Sequence, residues 1–274
     1  MCEFVLVSGQ QCAAEAVGGE VRRCYQRAGD RGFPSARGLR AGPPIAAAAR
    51  RQGSGQAGAS RPVMVLIEGL DLTGKTTLAR MLVAELTGRG IPAVHRRGFL
   101  ARRHPLDWLL ERSAPGDRPR SQALNAAFLF GAVLDRMIAA PHRSRGLGVV
   151  LVQESYVDRA VAYGVAAGRW PLAVAAARCP RLFARFDLAV ITHAPPAARL
   201  ERLIARGDGD AVDRLTLTSQ AFAGTFDEVL VRVAGRHRMV LRVDTSLRGP
   251  QDIVDEIVGD IVPAFRAVAS GGPR

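Results

Sequence analysis

Between residues 63 and 82 the chain passes from an apolar strand pattern, Val63-Met64-Val65-Leu66-Ile67, through a glycine-bearing turn into a helical pattern that opens at Thr76. The turn, Gly69-Leu70-Asp71-Leu72-Thr73-Gly74-Lys75-Thr76, matches G-x-x-x-x-G-K-[ST] without a gap. In a strand–turn–helix setting this pattern has a mechanism. The glycines let backbone N–H groups close around phosphates, and the helix N-terminus adds its partial positive charge. Residues Gly69 to Thr77 are therefore expected to cradle ATP, with Lys75 reaching the β- and γ-phosphates and the Thr76 hydroxyl ligating Mg²⁺.

The basic residues sharpen that expectation. Of the 38 lysines and arginines, Lys75 is the single lysine. The two side chains interchange at most solvated positions, but not where a compact ammonium must enter a tight loop.

Four more apolar segments have strand length: Ile91–His95, Gly148–Val152, Asp187–Ile191 and Met239–Val243. Helical patterns separate them, at about 76–87, 121–140, 159–167, 171–184, 196–206, 218–233 and 250–267. Such alternation predicts one α/β domain over 61–270, its parallel sheet covered on both faces. Residues 1–60 are different. They hold 10 of the 29 glycines, together with Pro43-Pro44 and Gly53-Ser54-Gly55, and lack sustained periodicity. The composition predicts a disordered extension. A targeting peptide, a regulatory tail and a misassigned start compete to explain it, and the last fits best because the first credible strand opens at Val63.

The formal charge of +13 raises the question of nucleic acid. Zinc-finger spacing, RNP-like aromatic-basic motifs and dense basic blocks are all missing from the sequence, so polyanionic nucleotides are the expected partners. No segment approaches the roughly 18 uninterrupted apolar residues of a membrane span. The cysteines at 2, 12, 24 and 179 have no metal spacing, which points to a reducing, cytoplasmic setting. His142 and His237 lack paired ligand residues and read as surface histidines.

The stretch Glu68-Gly69-Leu70-Asp71-Leu72-Thr73-Gly74-Lys75-Thr76-Thr77 resembles the E-G-x-D-x-x-G-K-[ST]-T loop of thymidylate kinases. Further segments resemble that family in the same order: Tyr156-Val157-Asp158 with Ala162-Tyr163-Gly164, then Pro195-Pro196 with Arg199, Arg202 and Arg206, then Val243-Asp244-Thr245-Ser246. The resemblance covers roughly residues 62–267. It implies a P-loop kinase fold with a five-stranded parallel sheet in the order 2-3-1-4-5, a short arginine-rich lid and a homodimer. It also implies transfer of the ATP γ-phosphoryl to a deoxynucleoside monophosphate.

Carried over position by position, the resemblance gives Asp71 to the acceptor sugar hydroxyl and Glu154 to Mg²⁺ beside Thr76. It gives Arg96 or Arg97 to the acceptor phosphate, and adds Phe130, Tyr156 and Arg159 to the acceptor site. The lid segment Arg199–Arg214, foremost Arg202 and Arg206, would stabilise the transferring group. Phe128 and Trp108 are further aromatic residues that could stack on the acceptor base.

Two departures bear on the acceptor. Gln153-Glu154-Ser155-Tyr156 stands where the family has Asp-Arg-Tyr, and Leu134 follows Phe130-Gly131-Ala132-Val133 where the family has arginine. Glu154-Ser155 also partly resembles the Glu-Arg-Ser of deoxynucleoside kinases. Three functions therefore stand on the sequence. The first is phosphorylation of a (deoxy)nucleoside monophosphate, foremost dTMP to dTDP. The second is phosphorylation of a nucleoside or other small-molecule hydroxyl, with Glu154 as general base. The third is a non-enzymatic, nucleotide-dependent P-loop regulator.

Overall fold

Val63-Met64-Val65-Leu66-Ile67 is apolar at every position, the pattern of a strand covered on both faces. In the computed structural model it is the central strand of the sheet. The structure describes residues 62–101, 104–106, 121–143, 149–207, 209 and 211–269. The readings of residues 1–60, of Trp108, of three of the cysteines and of the acids at 208 and 210 lie outside them, as does the side chain of His142.

Five strands, β1 (Val63–Gly69), β2 (Ala93–Arg97), β3 (Val150–Glu154), β4 (Leu188–His193) and β5 (Met239–Asp244), form one parallel sheet. Their order is β2-β3-β1-β4-β5, as the resemblance implies. Helix α1 (Lys75–Gly88) follows β1 and α2 (Gln122–Arg143) follows β2. After β3 come α3 (Val157–Ala166) and α4 (Pro171–Arg178). Three helices separate β4 from β5: α5 (Pro196–Arg206), α6 (Ala211–Thr218) and α7 (Gln220–Ala234). Helix α8 (Pro250–Ala269) closes the described chain.

Two cores result. On one face Val65, Ile67, Val152 and Val190 pack against α1 and α8, where Leu78, Leu82 and Leu86 recur at a four-residue spacing. Each of these leucines is at most 2% exposed and contributes about 1.5–3 kcal/mol by burial. On the other face Met64, Leu66, Ala189 and Ile191 meet Val161 of α3 and the Phe222, Phe226 and Leu230 stripe of α7. The alternation along β1 continues to its carboxyl end, where it decides which face each polar residue serves.

The structure corrects three expectations. The helix expected over 171–184 ends at Arg178, because Pro180 lacks the N–H needed to continue it and opens a 3₁₀ turn, Pro180–Leu182. Helix α6 begins inside the segment read as a glycine-turned lid and runs on past Arg214. His237 is buried at 3% exposure, its Nδ1 accepting the Phe186 N–H at 3.1 Å and its Nε2 3.4 Å from Asp158 Oδ2. Among the described residues no helix is long and apolar enough to cross a membrane.

Candidate active site at the carboxyl edge of the sheet

The turn after β1 needs its glycines. Gly69 has φ +152°, and a Cβ there would sit 2.4 Å from the Thr192 carbonyl and hydroxyl of β4. Gly74, at φ +85°, caps α1 in the left-handed conformation. Leu72 adopts φ +67° without that freedom, and Arg202 of α5 holds it by donating to the Leu72 carbonyl at 2.9 Å. The same guanidinium donates to the Thr245 hydroxyl at 3.0 Å and the Thr245 carbonyl at 2.7 Å. Thr73 completes the frame, its hydroxyl 2.7 Å from that of Thr192, while Thr245 donates to the Thr73 carbonyl. Of the three, Thr192 went unnoticed in the sequence, because a threonine at the end of a strand carries no pattern of its own.

Lys75 opens α1 and is 7% exposed. Its ammonium donates to the Leu70 carbonyl inside the loop and lies 3.5 Å from Asp71 Oδ1. Burial pushes its pKa down, and Asp71 opposes that shift. Asp71 is held well below the usual carboxylate range, since Arg159 and Lys75 together outweigh its burial. Arg159 reaches it from α3 as a two-pronged pair, with Nη1 2.7 Å from Oδ1 and Nη2 on Oδ2. The structure thus brings together Asp71, Lys75 and Arg159, which the sequence placed in one site. An acid in an anion-binding loop is accounted for by that arginine one helical turn beyond Ser155.

Glu154 ends β3 at 1% exposure. The register pairs Ile67 and Arg97 with Glu154, so its side chain points to the α1 face of the sheet. There the Thr76 hydroxyl donates to its Oε1 at 2.5 Å. Arg97 Nε lies 3.5 Å from the same oxygen, and His95 Nε2 lies 2.9 Å from Oε2. Glu68, on the opposite parity, faces α3 and accepts the Tyr156 N–H at 2.6 Å. Burial above all, with Asp158 nearby, pushes Glu68 up to about 8.

The remaining predicted residues spread out. Arg96 Nη1 donates to the Leu100 carbonyl at 2.6 Å. Tyr156 is a core residue at 1% exposure, its hydroxyl 3.2 Å from Asp135 Oδ2. Phe128 stacks on Phe99 at 4.8 Å, whereas Phe130 is 66% exposed. Arg206 pairs with the buried Asp213 of α6, and Arg199 is buried with Nη2 3.1 Å from the Thr216 carbonyl. The three lid arginines therefore do not share one open face.

Mg²⁺ takes hard oxygen ligands and usually needs only one or two protein groups besides phosphates and water. Thr76 and Glu154 present two such oxygens side by side at the helix start, a fitting donor set. No group of three or more His, Cys, Asp or Glu placed to hold a metal occurs among the described residues.

A parallel sheet in this order, with a lysine-bearing loop between its central strand and first helix, defines a P-loop phosphotransferase. The thymidylate kinase of Xylella fastidiosa is 34% identical over 149 residues, which are 53% of this chain and 67% of that protein. The probable thymidylate kinase of Caldivirga maquilingensis is 26% identical over 224 residues, 76% of this chain and 96% of its own length. The thymidylate kinase of Leptospira borgpetersenii is 26% identical over 211 residues, 72% and 91%. The chain belongs to the thymidylate kinase family. The fold matches that of the Candida albicans thymidylate kinase with a TM-score of 0.53 at 17% identity, covering 74% of this chain and 94% of that one. No protein-family model matches the chain.

Proposed function

We propose that the protein transfers the γ-phosphoryl group of ATP to dTMP, forming dTDP with the assistance of Mg²⁺. The coarser class, nucleoside monophosphate kinase, follows from family membership. The observation that carries the finer reading is the pairing of Asp71 with Arg159 beside Lys75. It puts a guanidinium next to the loop at a point where the family's own arginine position is Ser155.

On this reading residues Gly69 to Thr77 hold the ATP phosphates, and Thr76 with Glu154 would hold Mg²⁺. The bound ion would neutralise charge on the phosphates. Lys75, Arg202 and Arg206 supply positive charge to the transferring group. Arg97 and Arg159 hold the acceptor phosphate, and Asp71 faces the acceptor sugar. Arg96 is turned to the opposite face of β2 and engaged with the Leu100 carbonyl. Phe130 flanks the base, and Tyr156 acts from the core through Asp135. Glu154 as general base for a sugar hydroxyl fits less well, because both its oxygens already have partners in Thr76, His95 and Arg97.

An acceptor screen with purified protein, ATP and Mg²⁺, spanning nucleosides and nucleoside monophosphates, tests the reading. The expected result is phosphorylation of dTMP ahead of the other monophosphates. A nucleoside phosphorylated efficiently while monophosphates are ignored would overturn the acceptor and leave the ATP site standing.

A further inference from the structure

We infer that His95 is a positioning residue that fixes the Glu154 carboxylate in the orientation presented to Thr76, and so sets how tightly the site takes Mg²⁺ with its nucleotide. This rests on the kinase reading above.

The argument starts from the parity of β2. His95 and Arg97 are two residues apart, so both side chains leave the sheet on the α1 face, where Glu154 also points. Glu154 is 1% exposed, and water can do little to hold its carboxylate. Protein groups hold it instead. Oε1 accepts from Thr76 at 2.5 Å, with Arg97 Nε 3.5 Å away, and Oε2 meets His95 Nε2 at 2.9 Å. An ionised carboxylate only accepts, so the His95 Nε2 carries the hydrogen.

With each oxygen on a different partner, the carboxylate cannot turn about its last bond. His95 is thereby the group that keeps Oε1 aimed at Thr76. Removing its donor leaves Oε2 buried without a partner, a costly state. The nearest remedy is Arg97, which is 68% exposed and has a guanidinium fork able to take both oxygens. In that arrangement Arg97 competes with the cation for the same carboxylate. Hydrogen-bond partners that orient a metal-ligating group typically change metal affinity or activity by about 10- to 100-fold.

The test measures binding of a non-hydrolysable ATP analogue by calorimetry across a Mg²⁺ series, for the parent and for His95→Ala, His95→Phe and His95→Gln. Melting temperatures without ligand run alongside. His95→Ala and His95→Phe should need roughly 10- to 100-fold more Mg²⁺ for half-maximal tightening of nucleotide binding. Binding without Mg²⁺ should stay within about twofold, because the phosphate loop is untouched. His95→Gln keeps an N–H near the position of Nε2 and should recover most of the loss. The Phe variant fills the space of the ring without the donor, so it keeps the test valid should the Ala variant unfold.

Parent-like Mg²⁺ dependence in the folded Ala or Phe variant would overturn the proposal and leave the kinase reading intact. So would a Gln variant as impaired as the Phe variant. A parent that binds the nucleotide without any Mg²⁺ dependence would remove both.

Discussion

Lys75 works from a buried position, which restricts what can replace it. Its stem runs inside the loop and its ammonium rests on the Leu70 carbonyl, 3.5 Å from Asp71. A guanidinium is wider and planar and cannot occupy that space without moving the loop. Lys75→Ala should lose at least about a hundredfold in kcat, and Lys75→Arg should be comparably impaired, with the melting temperature kept in both. Steady-state kinetics with either variant checks this, and near-parental turnover by Lys75→Arg would remove the assigned role. Lys75 was legible in the sequence because a spaced motif and the scarcity of lysine both marked it. His95 and Glu68 were not legible as partners. His95 lies 59 residues from Glu154, and only the pairing of β2 with β3 brings them together. Glu68 read as a motif flank, since nothing in one sequence shows that parity turns it toward α3 while Glu154 turns toward α1.

At the scale of elements, α3 and α5 brace the phosphate loop from different neighbours. Helix α5 holds it through Arg202, which ties the Leu72 carbonyl to Thr245 after β5. Helix α3 holds it through Arg159 on Asp71. The two arms should therefore affect different substrates. Arg202→Ala is expected to raise the KM for ATP about tenfold and leave the acceptor KM within about twofold; Arg159→Ala should do the reverse. Two-substrate kinetics separates them, and equal effects on both KM values in both variants would contradict the division. The strands were legible to within about two residues: the central strands β1, β3 and β4 are buried and largely apolar. The edge strands β2 and β5 carry exposed and charged positions among their apolar ones. Helix boundaries were less so where proline or a short turn intervened, as at Pro180. Helix α6 escaped because Ala211–Thr218 spans only eight residues and mixes Asp213, Arg214, Thr216 and Thr218 with its apolar positions. Its role becomes visible only when Asp213 meets Arg206 and the Thr216 carbonyl meets Arg199.

The whole molecule carries its charge balance inward, to the start of α3. Glu68 contacts the Tyr156 N–H, Asp158 pairs with the buried Arg236 and His237, and Arg159 pairs with Asp71. These groups set opposing dependences of stability on pH. Burial, above all, pushes the His237 pKa down, so the unfolded chain takes up its proton first as pH falls below about 6.5. Stability from that group is complete above 6.5 and is lost on acidification. Glu68 works in the other direction. Its carboxyl titrates at about 8 in the fold, against an ordinary value of 4.5. Between those values the fold binds a proton that the unfolded chain has lost, so stability falls as pH rises, by up to about 1.4 kcal/mol per pH unit, and levels off above 8. From 6.5 to 8 the His237 contribution is constant, and the Glu68 contribution is isolated by comparing the protein with Glu68→Gln. The amide keeps an oxygen for the Tyr156 N–H and cannot ionise. Ligand-free Glu68→Gln should match the parent in chemical denaturation near pH 5, and its advantage should grow steadily from pH 6.5 to 8. A constant difference between the two proteins across that range would show that Glu68 does not hold a proton in the fold.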